Sequence, residues 1–234
     1  MPNLSPLPPQ LQRKSLGDQV YETIRESIVS LRLEPGSMIY ENELSETLHV
    51  SRTPIREAIR LLVSEQLLEV LPQRGTRISP ISERKVNEAR FIREHLELGA
   101  FKLAARMWGL QDRQAERAKL DQLLAGQQEA GAAGDIELFL QHDEAFHRTI
   151  MEVTGNVTLM QVINHMRGHL NRLRYLALKE FHYLDQVIQE HKDLIAAIDQ
   201  GDEALAGSRL ERHIGKLDNE MPALRQMFPH FFTD

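Results

Sequence analysis

From residue 81 almost to the C-terminus, nearly every segment repeats its apolar residues with the spacing of an α-helix. The pattern is interrupted near residues 109–110, 131–134, 155–156 and 200–202. It therefore predicts about six helices, at residues 82–108, 112–130, 135–153, 157–180, 183–199 and 203–219. Helices joined by such short breaks favour an all-α antiparallel bundle over residues 83–234.

The N-terminal third begins differently. Residues 1–14 are rich in proline and polar residues, which predicts a disordered lead-in. Ser15 and Asp18 then have the spacing of a capping box, with Asp in place of the usual Glu. An amphipathic helix is indicated by apolar residues four apart, at Leu16, Val20, Ile24 and Ile28. The sequence "LEPG" that follows predicts a stop and a turn.

Two short helices are predicted next, at about residues 42–48 and 52–64. The apolar segments "LLEVL" and "TRIS" flank "PQRG", and this pattern predicts a small β-hairpin. Three helices and a hairpin are the parts of a winged helix-turn-helix, a DNA-binding fold. We expect this domain at residues 15–79 and a linker at 80–82, so that the fold class is mostly α with one small hairpin.

The segment "SRTPIREAIR" fits the recognition helix of such a domain. Ser51 is suited to the N-cap, and Pro54 falls in the first turn, where a missing N–H costs little. Arg52 and Arg56 lie one turn apart, and their planar guanidinium groups can pair with guanine, while Thr53 can contact a phosphate or a thymine methyl. The opposite face carries the expected core residues Ile55, Ile59 and Leu62.

Positive charge is concentrated in this region although the chain has a formal net charge of −6. Residues 51–77 contain five arginines and three acidic residues. Arg60 is expected to contact a phosphate, and Arg74 and Arg77 flank Gly75 at the tip of the predicted hairpin. The alternative is an ordinary solvated basic face. Phosphate contacts supply much of the affinity of a protein for DNA. Because the region has only these few cations, we expect modest affinity for each half-site and a need for a dimer.

Four polar residues fall on the apolar stripes of the C-terminal helices. Asp143 and His147 lie four apart on one stripe, and His191 and His213 lie on two later ones. One carboxylate and three imidazoles suit a divalent ion such as zinc, nickel or manganese. The alternative is that each histidine is an ordinary core residue with a hydrogen-bond partner.

Two other polar patterns occur in these helices. His165 and His169 form a rival pair four residues apart. Arg93 also lies on an apolar stripe, and a buried arginine needs an anionic partner. That partner is either Glu97 in an internal salt bridge or the carboxylate of a bound ligand, and the sequence leaves both open.

The composition excludes several classes of protein. The absence of cysteine rules out disulfides, thiol catalysis and a cysteine zinc site, and it fits a cytoplasmic location. We find no signal peptide, no apolar run near 18 residues, no phosphate-binding loop and no HExxH motif, so an enzyme is not expected. The alternative function is a metal-dependent hydrolase or lyase with a helix-turn-helix-like cap.

Glu144 and Glu190 are expected to point away from the polar cluster. Solvated helix faces are expected for four arginines, Arg113, Arg117, Arg172 and Arg174.

The segment from "YETIRESIV" to "PQRGTRIS" resembles the winged-helix domain of the GntR family of bacterial transcription regulators. The resemblance implies that Arg52 and Arg56 read bases and that Thr53 and Gly75 contact the backbone or groove. Three positions depart from the family pattern, at Asn42, His49 and Gln66. Asn42 replaces a DNA-contacting arginine of some members, and the other two replace glycines, so the operator sequence does not follow from the resemblance.

Residues 82–220 resemble the FCD effector domain of the FadR-like branch of that family. In its metal-binding members, the resemblance implies a ligand set at Asp143, His147, His191 and His213, with Arg93 near the effector cavity. It also implies a homodimeric repressor that binds double-stranded operator DNA. Such a regulator would hold one divalent metal per chain, zinc foremost, and respond to a small carboxylate or sugar acid.

Overall fold

The computed structural model describes residues 15–233, apart from the side chain at position 218. The disordered segment expected at residues 1–14 lies outside this range. Over the described residues the helices are α1 (Leu16–Val29), α2 (Glu41–Leu48), α3 (Arg52–Ser64), α4 (Glu83–Trp108), α5 (Gln114–Ala133), α6 (Ile136–Glu152), α7 (Val157–Phe181), α8 (Leu184–Asp199), α9 (Glu203–Ile214) and α10 (Leu217–Met227). The strands are β1 (Met38–Ile39), β2 (Leu68–Leu71), β3 (Gly75–Ile78), β4 (Ile81–Ser82) and β5 (Phe232–Thr233). The predicted fold class, a winged helix followed by an all-helical domain, is confirmed.

The N-terminal helices pack around their predicted apolar stripes. The capping box of α1 is present, with Asp18 N donating to Ser15 Oγ and Ser15 N donating to Asp18 Oδ2, both at 3.0 Å. Ile24, Ile55 and Leu62 are buried in one core between α1 and α3. An antiparallel sheet of order β1-β3-β2 closes this core, and the β2–β3 hairpin is the wing.

The turns around α3 use left-handed backbone at residues other than glycine. His49 has φ 53° and ends α2, and Gln66 has φ 60° directly after the C-cap residue Glu65. The family that the sequence resembles is expected to have glycine at both positions, and the left-handed backbone, which costs other residues a little, agrees with that expectation. Ser51 occupies the N-cap of α3 as predicted, but its side chain makes no capping hydrogen bond.

The C-terminal domain differs from the sequence prediction at its end. A single helix was expected at residues 203–219, whereas α9 ends at Ile214 and α10 begins at Leu217. The reason is that the two helices serve different cores. The apolar face of α9 packs with α4 and α8, while Leu217 and Met221 of α10 pack against α7. A continuous helix could not direct both faces to these sites.

Helix α7 lies in the interior of the molecule. It packs against α1, α4, α6 and α10, so more than one of its faces is covered. The expectation that Arg172 and Arg174 are solvated is therefore wrong: their exposed fractions are 0% and 9%. Arg113 and Arg117 are partly exposed, as surface residues of α5 and its N-terminus.

The linker region is held by the C-terminal strand. Ile81 pairs with Phe232 and Ser82 pairs with Thr233 in a short parallel sheet. Ser82 also caps α4, since its hydroxyl accepts a hydrogen bond from Lys85 N.

Over the described residues, no helix is long and apolar enough to cross a membrane.

Candidate functional site

Three helices bring the predicted cluster together. Asp143 and His147 project from α6, His191 from α8 and His213 from α9. One nitrogen or oxygen of each residue lies within 4.8 Å of those of the other three. The first three are fully buried and His213 is 8% exposed. The spacing of four residues on α6 places its two members on one helix face, so the pair reaches the same point.

Each imidazole is oriented by a hydrogen bond at Nδ1. The acceptor oxygens are Glu97 Oε2 for His147 at 2.8 Å, Gln127 Oε1 for His191 at 2.8 Å and Glu190 Oε2 for His213 at 2.9 Å. Because Nδ1–H donates in each case, all three Nε2 atoms keep a free lone pair directed into the cluster. This orientation is the common one among metal-ligating histidines, whose other ring nitrogen donates to an oxygen.

The inner atoms of the cluster face one another without donors. Nε2 of His147 and of His213 are 3.2 Å apart, and His191 Nε2 is 3.4 Å from Asp143 Oδ1. His191 Nε2 and Asp143 Oδ1 are buried and lack a hydrogen-bond partner among the described residues. Buried lone pairs are normally satisfied, and one divalent cation between these atoms would satisfy all four residues. The donor set of three nitrogens and one oxygen therefore fits a metal.

The protonation states also suit metal binding. Burial lowers the pKa of His147 to about 4 and holds the pKa of His191 well below its usual range. Burial raises the pKa of Asp143, but the Arg174 guanidinium and the facing imidazoles outweigh it, so the net pKa is well below the ordinary value. Near neutral pH the aspartate is ionised and these two imidazoles are neutral, which are the forms that ligate a metal.

Arg93 forms the internal salt bridge that the sequence left as one of two alternatives. Its Nε is 2.8 Å from Glu97 Oε1, and both side chains are buried. The same arginine also lines a small cavity beside the cluster, together with Arg174, His213 and Lys216. Arg93, Arg174 and Lys216 are cationic, so positive charge lines this cavity.

Several residues of this site were missed or misplaced by the sequence analysis. Glu190 was expected to point away, but its carboxylate holds His213 and is 2.5 Å from Lys216 Nζ. Arg174 was expected in solvent, but its Nη2 donates to Asp143 Oδ2 at 2.6 Å. Glu144 does point away from the cluster, toward Arg167. The sequence did contain a signal that Gln127 is buried, since this residue continues the apolar stripe of Leu120 and Leu124 on α5.

The rival histidine pair does not form a second cluster. His165 is exposed, whereas His169 is buried and donates from Nε2 to the backbone oxygen of Glu65 at 3.0 Å. Trp108 packs at the end of α4, where Nε1 donates to Asp199 Oδ1 at 3.0 Å.

The second candidate surface is the outer face of α3 and the wing. Arg52, Thr53, Arg56 and Arg60 are all exposed on α3. Arg56 Nε is 2.8 Å from Glu41 Oε2 of α2, in an exposed ion pair that contributes little to stability. The other side of the helix is buried against α1, so these side chains form one continuous outer face.

The wing carries the remaining predicted residues. Arg74 is exposed, and Gly75 follows it with φ 110°, a conformation that favours glycine. A Cβ at Gly75 would lie 3.1 Å from Tyr40 Cε1. Arg77 is paired with Glu69 across the hairpin at 2.6 Å. The hairpin tip therefore needs glycine for its backbone and presents Arg74 outward.

Comparison with known proteins agrees with this architecture. The family model for bacterial regulatory proteins of the gntR family matches residues 16–78, and the FCD domain model matches residues 88–216. The two matches define a DNA-binding transcriptional regulator. This chain belongs to the GntR family, in the group whose winged helix is followed by an FCD domain, and the resemblance noted in the sequence is confirmed.

Individual relatives span nearly the whole chain. An uncharacterized HTH-type transcriptional regulator of Streptomyces ambofaciens is 30% identical over 92% of this chain and 88% of its own length. The HTH-type transcriptional repressor RspR of Escherichia coli is 25% identical over 94% of both chains. The solved structure of E. coli McbR/YncC superposes with a TM-score of 0.78 at 25% identity, covering 92% of this chain and all of that one.

Proposed function

We propose that this regulator senses its ligand through a divalent metal held by Asp143, His147, His191 and His213. The observation that carries the proposal is the set of three Nε2 lone pairs and one carboxylate oxygen directed at a single buried point. Zinc is the expected ion because it favours nitrogen-rich, four-ligand sites, and nickel or manganese would accept the same donors. We expect one metal per chain.

The proposed effector class is supported by the charges beside this site. The adjacent cavity is lined by Arg93, Arg174 and Lys216, which favours an anionic ligand such as a small carboxylate or a sugar acid. A carboxylate there could contact the metal and a guanidinium together. The cavity is only about 30 Å³, room for about two waters, so side chains at its mouth must move to admit an organic acid. That movement gives the ligand a way to alter the conformation of the domain.

The DNA-binding surface is proposed to be α3 together with the wing. Arg52 and Arg56 would read bases in the major groove, Thr53 and Arg60 would contact the backbone, and the wing would follow it through Arg74 and Gly75. The support is that these arginines and Thr53 share the exposed face of the two elements. A homodimer would place two α3 helices on the half-sites of a pseudo-palindromic operator.

The division of labour follows the two matched family models. Residues 15–79 are proposed to bind DNA, residues 80–82 to form the linker, and residues 83–234 to bind the effector and dimerise. Repression is the proposed sign of regulation, because the relative RspR is named a transcriptional repressor. An acid in the metal pocket would relieve that repression.

Metal analysis of the purified protein tests the proposal. Inductively coupled plasma mass spectrometry should find about one zinc, nickel or manganese per chain in the wild type after purification without chelator. The double variant Asp143→Ala/His191→Ala should lose it, while His165→Ala, which removes an exposed histidine of α7, should keep it. A folded wild type that takes up no metal even when zinc is added would refute the metal site.

A further inference from the structure

Helix α7 carries polar residues on two faces that contact different parts of the molecule. Arg167, Asn171 and Arg174, spaced four and three apart, face α6. Arg174 donates to Asp143, and the other two donate to Glu144, the next residue along. One face of α7 is therefore fixed to the helix that supplies two of the proposed metal ligands.

The second polar face of α7 holds the winged helix. Arg172 donates from Nη1 to the backbone oxygen of Ser79 and from Nη2 to that of Pro80 at 3.4 Å. Its Nη2 also donates to His169 Nδ1 at 2.9 Å, and His169 Nε2 donates to the backbone oxygen of Glu65 at 3.0 Å. Glu65 is the C-cap of α3, so this network reaches the end of the recognition helix and the linker together.

These contacts are buried and tightly packed. Arg172 is 0% exposed, and its acceptors in the described structure are backbone oxygens and His169 rather than a carboxylate. A buried guanidinium is costly unless its hydrogen bonds are kept, so the contact cannot slip freely. Beside it, Gly168 touches the winged-helix core: a Cβ there would lie 2.8 Å from Leu67 Cδ1.

Resting on the proposed function, we infer that α7 couples the metal centre to the recognition helix. A metal that binds Asp143 changes its contact with Arg174. Because Arg174, Arg172 and His169 belong to one continuous helix, a shift at the first residue displaces the other two. They in turn hold the C-terminal end of α3 and the linker, and thus the orientation of the DNA-reading face.

Hydrogen exchange on the full chain tests the coupling. Two amides of the winged helix serve as reporters, Leu67 N bonded to Leu62 O and Ser79 N bonded to Leu67 O. In the wild type, replacing chelator by zinc chloride should change the exchange rates of both amides by about fivefold or more. A factor of about five corresponds to the lower end of the coupling free energies between two sites. His165→Ala, on the exposed side of α7, should behave like the wild type. His169→Ala removes the bond to Glu65 O but not those of Arg172 to the linker, so it should reduce the change at both amides, while exchange in α6 still slows with zinc.

A second arm needs no metal and separates this inference from the proposed function. Asp143→Asn removes the carboxylate that Arg174 holds, and in metal-free protein it should alter exchange at Leu67 and Ser79 in a background that retains His169. The effect should be smaller in the His169→Ala background, which loses the bond to Glu65 O but keeps the bonds of Arg172 to the linker. If His169→Ala does not fold, Arg172→Lys takes its place, since an ammonium cannot bridge the linker carbonyls and His169 together.

The outcomes distinguish the two ideas. If zinc leaves α6 unchanged, the proposed metal site is wrong, and the metal-free arm alone decides the coupling. If zinc slows α6 but leaves both reporter amides unchanged, or if the His169→Ala variant transmits the change as fully as the wild type, the coupling through α7 is wrong.

Discussion

Replacing His191 by alanine removes one proposed ligand and predicts a specific loss of stabilisation by zinc. The imidazole is fully buried, stacked on Phe146 at 4.2 Å between ring centroids and bonded to Gln127. Its truncation is expected to cost about 2–5 kcal/mol in the metal-free protein, the range for large-to-small changes in a core. This part of the effect would occur whether or not the site binds a metal.

The discriminating quantity is the change in melting temperature on adding zinc. Zinc at about 1,000 times its Kd stabilises the folded state by about 4 kcal/mol. For a chain of this size, about 2–4 °C per kcal/mol converts this figure to a rise of about 8–16 °C in the wild type. His191→Ala should show a rise of no more than about 2 °C by differential scanning calorimetry.

The control for this measurement is His165→Ala, which removes an exposed histidine and should keep the full zinc-dependent rise. If His191→Ala folds and gains as much from zinc as the wild type does, His191 is not a ligand. That result would refute the reasoning from its free Nε2.

Three further predictions concern other parts of the chain. Arg56→Ala should cost about 1–3 kcal/mol of operator affinity and relax base discrimination, while Arg60→Ala should weaken all sequences alike and lower the salt slope by about one, both by titration at several salt concentrations. Gly75→Ala should lower the unfolding free energy by about 1–3 kcal/mol in denaturant melts, because its backbone has φ 110° and its Cβ would crowd Tyr40, whereas Gly131→Ala in α5 should be neutral or stabilising. Burial lowers the pKa of His169 to about 3. As the pH drops below about 6.5, the unfolded state binds a proton that the folded state does not, so the free energy of unfolding falls. Between pH 7 and pH 5, chemical denaturation should show that His169→Ala loses about 1–2 kcal/mol less unfolding free energy than the wild type, and an unchanged pH dependence would contradict this.

Local signals predicted the winged helix closely. The bounds of α3 agree with the sequence prediction, since a capping position, an early proline and an apolar stripe all act within one helix. The spacing of Asp143 and His147 likewise placed both on one face of α6. Features that depend on neighbours within a turn or two are accessible from one sequence because they need no tertiary information.

The surroundings of the proposed metal site could not be predicted in the same way. Glu97, Gln127 and Glu190 lie on three different helices, and only the packing of those helices directs them to the imidazoles. Arg172 and Arg174 were wrongly predicted to lie in solvent, because a single apolar stripe predicts one buried helix face, whereas α7 is covered on several sides. The sequence therefore identified the proposed ligands but not the groups that orient them.

X-ray absorption at the zinc edge tests the central claim most directly. Zinc-loaded protein should show about three imidazole nitrogens at about 2.0–2.1 Å and at least one oxygen at about 2.0–2.2 Å, with the multiple-scattering pattern of histidine rings. A zinc spectrum with a shell of oxygens alone, or one unchanged by Asp143→Ala/His191→Ala, would contradict the account.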